Sequence, residues 1–116
     1  MGMRLQDLEL TSAELFRSAV REGRVVVEFY TQWCPDCRRV EGSLTRLAGR
    51  FAERFTLLRM DAEAVEEIAV QYDVRGIPSF LAFTDGELVD RLYSRDAKSV
   101  RQVEDYLEGL YADSAG

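Results

Sequence analysis

Residues 25–37 read VVVEFYTQWCPDC, and no other part of the chain says as much about its architecture. The first half is a run of β-branched and aromatic residues, which is typical of a strand buried on both faces of a sheet. A single acid, Glu28, interrupts that run. Cys34 and Cys37 follow, with Pro35 between them at a position that suits the first turn of a helix. The stretch therefore predicts a buried strand that leads into a helix with two cysteines at its start.

Apolar residues recur at helical spacing in four segments, and alternating or continuous apolar runs mark five strands. The predicted helices cover residues 12–22, 34–54, 62–72 and 96–110. The predicted strands cover residues 3–10, 25–30, 55–60, 79–84 and 87–93. Asp85-Gly86, between the last two strands, is a strong hairpin signal. The order predicts an α/β fold with a central mixed five-stranded sheet flanked by four helices.

Length and charge narrow the function classes. A chain of 116 residues suits one domain, predicted over 1–116 with 112–116 frayed. The formal net charge of −6 argues against a nucleic-acid or anionic membrane surface. No segment has the apolar length of a membrane span or the pattern of a signal peptide. We therefore expect a cytoplasmic protein that binds neither nucleic acid nor membrane.

The two cysteines are too few for a disulfide-stapled scaffold, so their spacing matters instead. At a helix start, free amide N–H groups and the helix dipole favour a thiolate at Cys34. We expect Cys34 to face solvent at the helix tip, and Cys37 to be shielded one turn in, yet close enough to form a disulfide. The chain has no histidine, which excludes Cys/His catalytic pairs and His-ligated metals.

Trp33-Cys34-Pro35-Asp36-Cys37 after a strand, together with Gly76-Ile77-Pro78-Ser79, resembles the thioredoxin family over residues 3–111. The resemblance implies a thioredoxin fold and a thiol–disulfide oxidoreductase. It implies that Pro78 is a cis-proline packed against the cysteines, and that Ile77 offers its backbone to a substrate chain. Glu28 matches a buried family acid, normally Asp, which is implied to pass a proton to or from the second cysteine.

The same resemblance assigns roles to the candidate site residues. Cys34 is the expected nucleophile, Cys37 the resolving cysteine and Glu28 the proton carrier. The expected substrate-binding residues are Trp33, Pro35, Asp36, Gly76, Ile77 and Pro78. No cofactor or metal is predicted. The implied partners are disulfide-containing proteins and a thioredoxin-reductase-like electron donor, and we expect a monomer.

Several residues depart from the family pattern. Pro35-Asp36 stands where thioredoxins carry Gly-Pro, and resembles thioredoxin-related proteins with Trp-Cys-Pro-Asp-Cys, which implies a narrower substrate range. Asp36 adds a negative charge beside the thiolate, and no active-site histidine stabilises it, so we expect a reducing couple. Leu57 replaces a lysine that many thioredoxins place beside the buried acid, so we expect Glu28 to lack a counter-charge. Gly42 replaces a helix-kinking proline, and Tyr93-Ser94-Arg95 replaces a small loop near the substrate groove.

Other readings remain open at this point. The cysteines could be inert buried thiols, or could bind zinc or an iron–sulfur cluster across a dimer. Glu28 could be a strand acid that faces solvent, and Trp33 and Tyr30 could serve only core packing. Pro78 could be an ordinary turn proline. The alternative function is a thioredoxin-fold binding module without turnover, or one that holds a metal.

Overall fold

The computed structural model describes residues 3–112, which form four strands and five α-helices. The strands are β1 (Arg24–Tyr30), β2 (Thr56–Asp61), β3 (Ser79–Thr84) and β4 (Glu87–Leu92). The helices are α1 (Ala13–Val20), α2 (Pro35–Glu41), α3 (Leu44–Arg50), α4 (Glu66–Gln71) and α5 (Val100–Gly109). Two short 3-10 turns cover Leu5–Leu8 and Ser94–Asp96.

The strands form one mixed sheet in the order β2-β1-β3-β4. β1 pairs parallel with β2, while β3 runs antiparallel to both β1 and β4. Successive side chains of a strand point to opposite faces, so each face of β1 enters a different core. Val25, Val27 and Phe29 pack with the apolar residues of α1 and α4. Val26 lies on the face that packs with α2, α3 and α5, and Glu28 shares that face.

The hairpin predicted at Asp85-Gly86 is confirmed. Asp85 and Gly86 have φ values of 49° and 87°, the left-handed conformation that a two-residue hairpin turn requires. β3 and β4 pair directly on either side of it, with a bulge between Ala82 and Phe83. The predicted α/β class and the mixed sheet are present as well.

The predicted edge strand over 3–10 is wrong. Leu5–Leu8 forms a 3-10 turn, and the pairing in this segment is an isolated parallel bridge between Glu9 and Arg59. The Asp7 carboxylate accepts a hydrogen bond from the Arg4 N–H at 2.9 Å, which satisfies the backbone locally and competes with extended pairing. The sheet therefore has four strands in the described residues, where the sequence predicted five.

The predicted long helix over 34–54 is divided in two. α2 ends at Glu41 and α3 begins at Leu44, because the Ser43 N–H donates to the Val40 carbonyl at 2.9 Å and tightens the turn at Gly42. Glycine costs about 1 kcal/mol relative to alanine inside a helix, so Gly42 weakens the helix at the break. The division gives five helices where four were predicted.

The frayed end predicted at 112–116 lies outside the described residues, apart from Ala112. Within residues 3–112, no helix combines the length and apolarity needed to cross a membrane.

Candidate active site

The two cysteines lie where β1 ends and α2 begins. Cys34 is the N-cap of α2, Pro35 follows in its first turn, and both cysteines are free thiols. The Cys34 Sγ accepts a hydrogen bond from the Cys37 N–H at 3.2 Å. A thiolate formed on this sulfur during disulfide exchange would accept a charge-assisted hydrogen bond from that N–H. Cys34 is thus placed as an acceptor of helix N-terminal amides.

Exposure does not distinguish the two cysteines. Cys34 is 4% exposed and Cys37 is 2% exposed, so the expectation that Cys34 faces solvent is wrong. Ile77 packs against the apolar group formed by Tyr30, Cys34 and Cys37, and the Cys34 thiol donates to the Ile77 carbonyl oxygen at 3.8 Å. The loop that carries Ile77 therefore shields Cys34. The two cysteines differ in their hydrogen bonds and in their distance from the helix start.

Burial raises the pKa of the Cys37 thiol, and the sulfur of Cys34 and the negative charge of Glu28 raise it further. Loss of a proton from a buried thiol is costly because the charged form is poorly solvated. Cys37 therefore needs a group that removes its proton before it can attack a disulfide.

Glu28 is fully buried, so the interpretation that it faces solvent is wrong. Burial raises the pKa of its carboxyl to about 8, and neither carboxyl oxygen has a hydrogen-bond partner among the described residues. Its Oε1 lies 3.6 Å from the Nε of Arg59, so the expectation that Glu28 lacks a counter-charge is wrong as well. The counter-charge was missed because of the register between β1 and β2. Leu57 lies opposite Val26, whereas Arg59 lies opposite Glu28.

Sequence reasoning missed Arg59 and the groups around it. We call this set the buried cluster: Glu9, Glu28, Tyr30, Glu41 and Arg59. Arg59 is 3% exposed, and its guanidinium lies 3.5 Å from the centroid of the Tyr30 ring. The Tyr30 hydroxyl donates to the Glu9 carboxylate at 2.7 Å. The signal that could have revealed Arg59 is the parallel pairing of β1 with β2, in which residues 25–30 lie opposite residues 56–61.

Asp36 belongs to a second group, the surface cluster of Asp36, Arg39 and Lys98. Asp36 accepts a hydrogen bond from Arg39 and lies 3.5 Å from the Lys98 Nζ. Arg39 also donates to the Lys98 carbonyl at 3.2 Å. The hydrogen bond from Arg39 lowers the pKa of Asp36 below its ordinary value, with Lys98 adding to the effect. The negative charge expected beside Cys34 is present, but two cations pair with it.

The loop at Gly76–Ser79 forms the other wall of the site. The Ile77–Pro78 peptide bond is cis, as the resemblance implies, and Pro78 is buried. A groove of about 260 Å³ follows this loop and reaches Tyr93 and Ser94. Gly76 lies so close to Ser94 that an added Cβ would be 2.2 Å from the serine Oγ. The Tyr93-Ser94-Arg95 substitution noted in the sequence therefore borders the groove.

Trp33 and Tyr30 differ in their surroundings. Trp33 is 63% exposed, and its indole N–H donates to Glu63 at 3.1 Å, so a core-packing role is wrong for Trp33. Tyr30 is 4% exposed and packs beside the cysteines. Among residues 3–112, no group of three or more Cys, Asp or Glu side chains has the arrangement of a metal site. The geometry suits thiol chemistry, with an exposed indole beside it.

Comparison with known sequences also identifies the thioredoxin family. The family model described as Thioredoxin matches residues 7–108. Thioredoxin C-2 of Corynebacterium nephridii is 33% identical over 81 residues, which cover 68% of this chain and 75% of that relative. Thioredoxin-T of Drosophila melanogaster is 26% identical over 91 residues, which cover 78% of this chain but 58% of that relative. The chain thus spans little more than half of some longer relatives.

Solved structures share the fold. The Plasmodium falciparum thioredoxin superposes with a TM-score of 0.79 at 20% identity, covering 88% of this chain and 97% of that one. The oxidised form of mitochondrial thioredoxin 3 from Saccharomyces cerevisiae gives a TM-score of 0.75 at 23% identity, covering 88% and 93%. The fold is therefore the thioredoxin fold, and the chain belongs to the thioredoxin family of thiol–disulfide oxidoreductases.

Proposed function

We propose that this chain reduces disulfides, with Cys34 as the attacking thiolate and Cys37 as the resolving thiol. The observation that carries the assignment is the Cys37 N–H donated to the Cys34 Sγ at the N-cap of α2. It favours a thiolate at Cys34, while burial raises the pKa of Cys37. Because the thiolate is the nucleophile in disulfide exchange, the first attack comes from Cys34.

The reaction proceeds in two exchanges. The Cys34 thiolate attacks one substrate sulfur, forms a mixed disulfide and releases the other substrate sulfur as a thiolate. Cys37 then loses its proton and attacks the Cys34 Sγ, which releases the second substrate thiolate and leaves a Cys34–Cys37 disulfide. Two electrons pass to the substrate, and a dithiol donor must return them.

Glu28 accepts the Cys37 proton in the second exchange. Its carboxyl lies buried on the sheet face beneath α2, and its pKa of about 8 is close to neutral pH. A base is most effective when its pKa lies near the working pH. The absence of histidine from the chain leaves no imidazole to do this work.

The substrate-binding surface surrounds the Cys34 sulfur. It comprises Trp33, Pro35, Asp36, Gly76, Ile77 and Pro78. Trp33 and Pro35 are exposed beside Cys34, and a substrate segment that reaches the sulfur must displace the Ile77 carbonyl, to which the Cys34 thiol donates. Tyr93 and Ser94 line the neighbouring groove.

Disulfide-containing proteins and a thioredoxin-reductase-like donor are the proposed partners. One neighbouring structure comes from work on thiol resolution in a yeast mitochondrial 1-Cys peroxiredoxin through glutathione/thioredoxin systems. It has a TM-score of 0.74 at 22% identity, and covers 88% of this chain and 93% of that one. We further propose a single domain over 1–116 that works as a monomer in the cytoplasm.

Reduction of insulin or of the aromatic disulfide DTNB, coupled to a dithiol reductant, tests the proposal. We expect Cys34→Ser to abolish turnover and Cys37→Ser to accumulate a mixed disulfide detectable by mass. Glu28→Gln should slow resolution about a hundredfold, the lower end of the range for a lost general base. Turnover retained in Cys34→Ser would refute the mechanism, and no turnover in the wild type would favour a binding module.

A further inference from the structure

Arg59 occupies the centre of the buried cluster and contacts all four of its other members. The Arg59 Nε lies 3.6 Å from Glu28 Oε1 and 3.8 Å from Glu9 Oε1. Its Nη2 donates to Glu41 Oε2 at 3.2 Å. The guanidinium also stacks on the Tyr30 ring, a cation–π arrangement that suits a desolvated arginine. A buried arginine among three carboxylates calls for an explanation beyond packing.

Arg59 makes three different kinds of contact: a hydrogen bond, a cation–π contact and a charge–charge contact. Glu41 receives a hydrogen bond, and Tyr30 receives the flat face of the guanidinium. The Arg59 Nε and both oxygens of Glu28 have no hydrogen-bond partner in the described part of the chain. Arg59 is therefore anchored by Glu41 and Tyr30, and it acts on Glu28 by charge across 3.6 Å. That arrangement leaves the Glu28 oxygens free to exchange a proton.

The charged and titratable groups facing Glu28 come from three elements. The N-terminal segment contributes Glu9, β2 contributes Arg59, and α2 contributes Glu41 and Cys37. Burial is the largest cause of the raised Glu28 pKa, and the charges of Glu41 and Glu9 raise it further. Arg59 is the one cation in this set. Its charge lowers the pKa of Glu28, whereas burial and the two acids raise it.

We infer that Arg59 is a positioning residue for the second exchange, in which it keeps the Glu28 carboxylate able to accept the Cys37 proton near neutral pH. The inference rests on the proposed role of Glu28. The proton moves from the Cys37 Sγ to a Glu28 oxygen, and the Cys37 thiolate forms a bond to the Cys34 Sγ. The bond between Cys34 and the substrate sulfur breaks, and its electron pair leaves with that sulfur. Arg59 itself neither gains nor loses a proton.

The location of Arg59 distinguishes this chain from the pattern implied by its family. The lysine position beside the buried acid is Leu57 here, and Leu57 lies opposite Val26 in the sheet register. Arg59 stands two residues further along β2, on the same face, opposite Glu28. A glutamate is also one methylene longer than the usual aspartate. Glutamate therefore replaces the usual aspartate, and arginine replaces the lysine, two residues further along β2.

A single-turnover measurement tests the inference directly. The wild-type protein is loaded with thionitrobenzoate on Cys34, and its release by Cys37 is followed by absorbance as a function of pH. In Arg59→Met we expect release near pH 7 to fall about tenfold or more, and the inflection of the profile to move upward by about 1–3 pH units, the range for loss of an adjacent opposite charge. Arg59→Lys should recover most of the rate.

Three variants separate this role from a structural one. Arg46→Met is the matched control, since Arg46 pairs with Glu104 on the surface, and its profile should equal that of the wild type. Glu41→Gln removes an acid, so its inflection should move downward, opposite to Arg59→Met. This opposite shift keeps the inference testable if Arg59→Met does not fold. In a Glu28→Gln background, Arg59→Met should produce no shift.

Different results would refute the proposed function and the role of Arg59. No release of thionitrobenzoate by Cys37 in the wild type would refute the proposed function. A slowed Glu28→Gln protein together with an unshifted profile in Arg59→Met would refute the inference alone. A downward shift in Arg59→Met, or an upward shift in Glu41→Gln, would overturn it as well.

Discussion

The buried cluster and the surface cluster each bring a carboxylate to the same pair of cysteines, with opposite results. Glu28 faces one cation, and burial raises its pKa to about 8. Asp36 faces two cations, and the hydrogen bond from Arg39 lowers its pKa. The two pKa shifts differ in direction because Glu28 is buried and Asp36 is accessible to solvent, and the number of cations beside each carboxylate is secondary. Burial produces a group that exchanges protons near neutrality, whereas exposure leaves a permanent charge.

Because of this contrast, we expect the two carboxylates to affect different properties of the reaction. In the proposed mechanism Glu28 takes the proton of Cys37, so its expected influence is on rate and on pH dependence. Asp36 keeps its charge across the working pH range, so its influence is on the free energy of the Cys34 thiolate and hence on the redox potential.

The largest expected effect is on folding stability in Glu28→Gln. The folded pKa of about 8 lies above the ordinary 4.5, so the folded state binds more protons than the unfolded state between these values. Wild-type stability is therefore complete below about pH 4.5 and falls as the pH rises to 8. The variant should lose this fall and gain several kcal/mol above pH 8, at about 1.4 kcal/mol per pKa unit.

Urea unfolding of the oxidised protein, in which no thiol titrates, measures that gain. Glu53→Gln, at an exposed position, is the matched control and should follow the wild type at every pH. Parallel stability curves for wild type and Glu28→Gln would show that Glu28 is already ionised in the fold, and the contrast between the clusters would disappear.

The second effect is on the redox potential and concerns Asp36. A negative charge beside Cys34 destabilises the reduced, thiolate-bearing form, so we expect a reducing couple near the roughly −270 mV of thioredoxins. Asp36→His removes that charge, and the potential should rise by about 30 mV or more, which is about tenfold in equilibrium constant. Equilibration against glutathione measures it. A wild-type value above that of disulfide isomerases, roughly −180 mV, would contradict the assignment.

The sequence predicted the parts of the molecule that depend on local pattern. The β1 run, the Asp85-Gly86 hairpin and the helix start at Cys34 each follow from the residues within a short window. The predicted strand over 3–10 did not form, because the Asp7 side chain captures the Arg4 N–H and turns the backbone. Its weak alternation held no information about that competing hydrogen bond.

The site shows the same division between local and long-range information. Cys34, Cys37 and Pro78 were found because a motif identifies them. Arg59 was missed because its importance comes from the register between β1 and β2, which places it opposite Glu28 across 31 positions of sequence. Comparison with the family directed attention to Leu57, where the cation is absent. The covering of Cys34 by Ile77 depends likewise on contact between distant segments.

A smaller effect is expected from Lys98→Met. Lys98 lies 3.5 Å from Asp36 and is 60% exposed, so its removal uncovers part of the aspartate charge in a well-solvated place. The Cys34 thiolate should become less favourable, and the potential should fall by less than about 30 mV, since exposed ion pairs contribute little. Arg101→Met, an exposed variant that leaves the surface cluster intact, is the control. A rise in potential would mean that Lys98 does not act through Asp36.

The smallest effect is the salt dependence of these differences, and it separates the clusters most directly. Dissolved ions screen exposed charges over about 10 Å at 0.1 M salt and screen buried pairs much less. The difference in potential between Lys98→Met and wild type should therefore shrink as sodium chloride is raised from about 0.02 M to about 0.5 M. The difference in resolution rate between Glu28→Gln and wild type should stay constant over the same range, because Glu28 and Arg59 are both shielded from solvent. Potassium chloride at equal ionic strength controls for specific ion binding. If the Glu28→Gln difference also shrank with salt, ions would be reaching the carboxylate, and burial could not be the reason for its raised pKa.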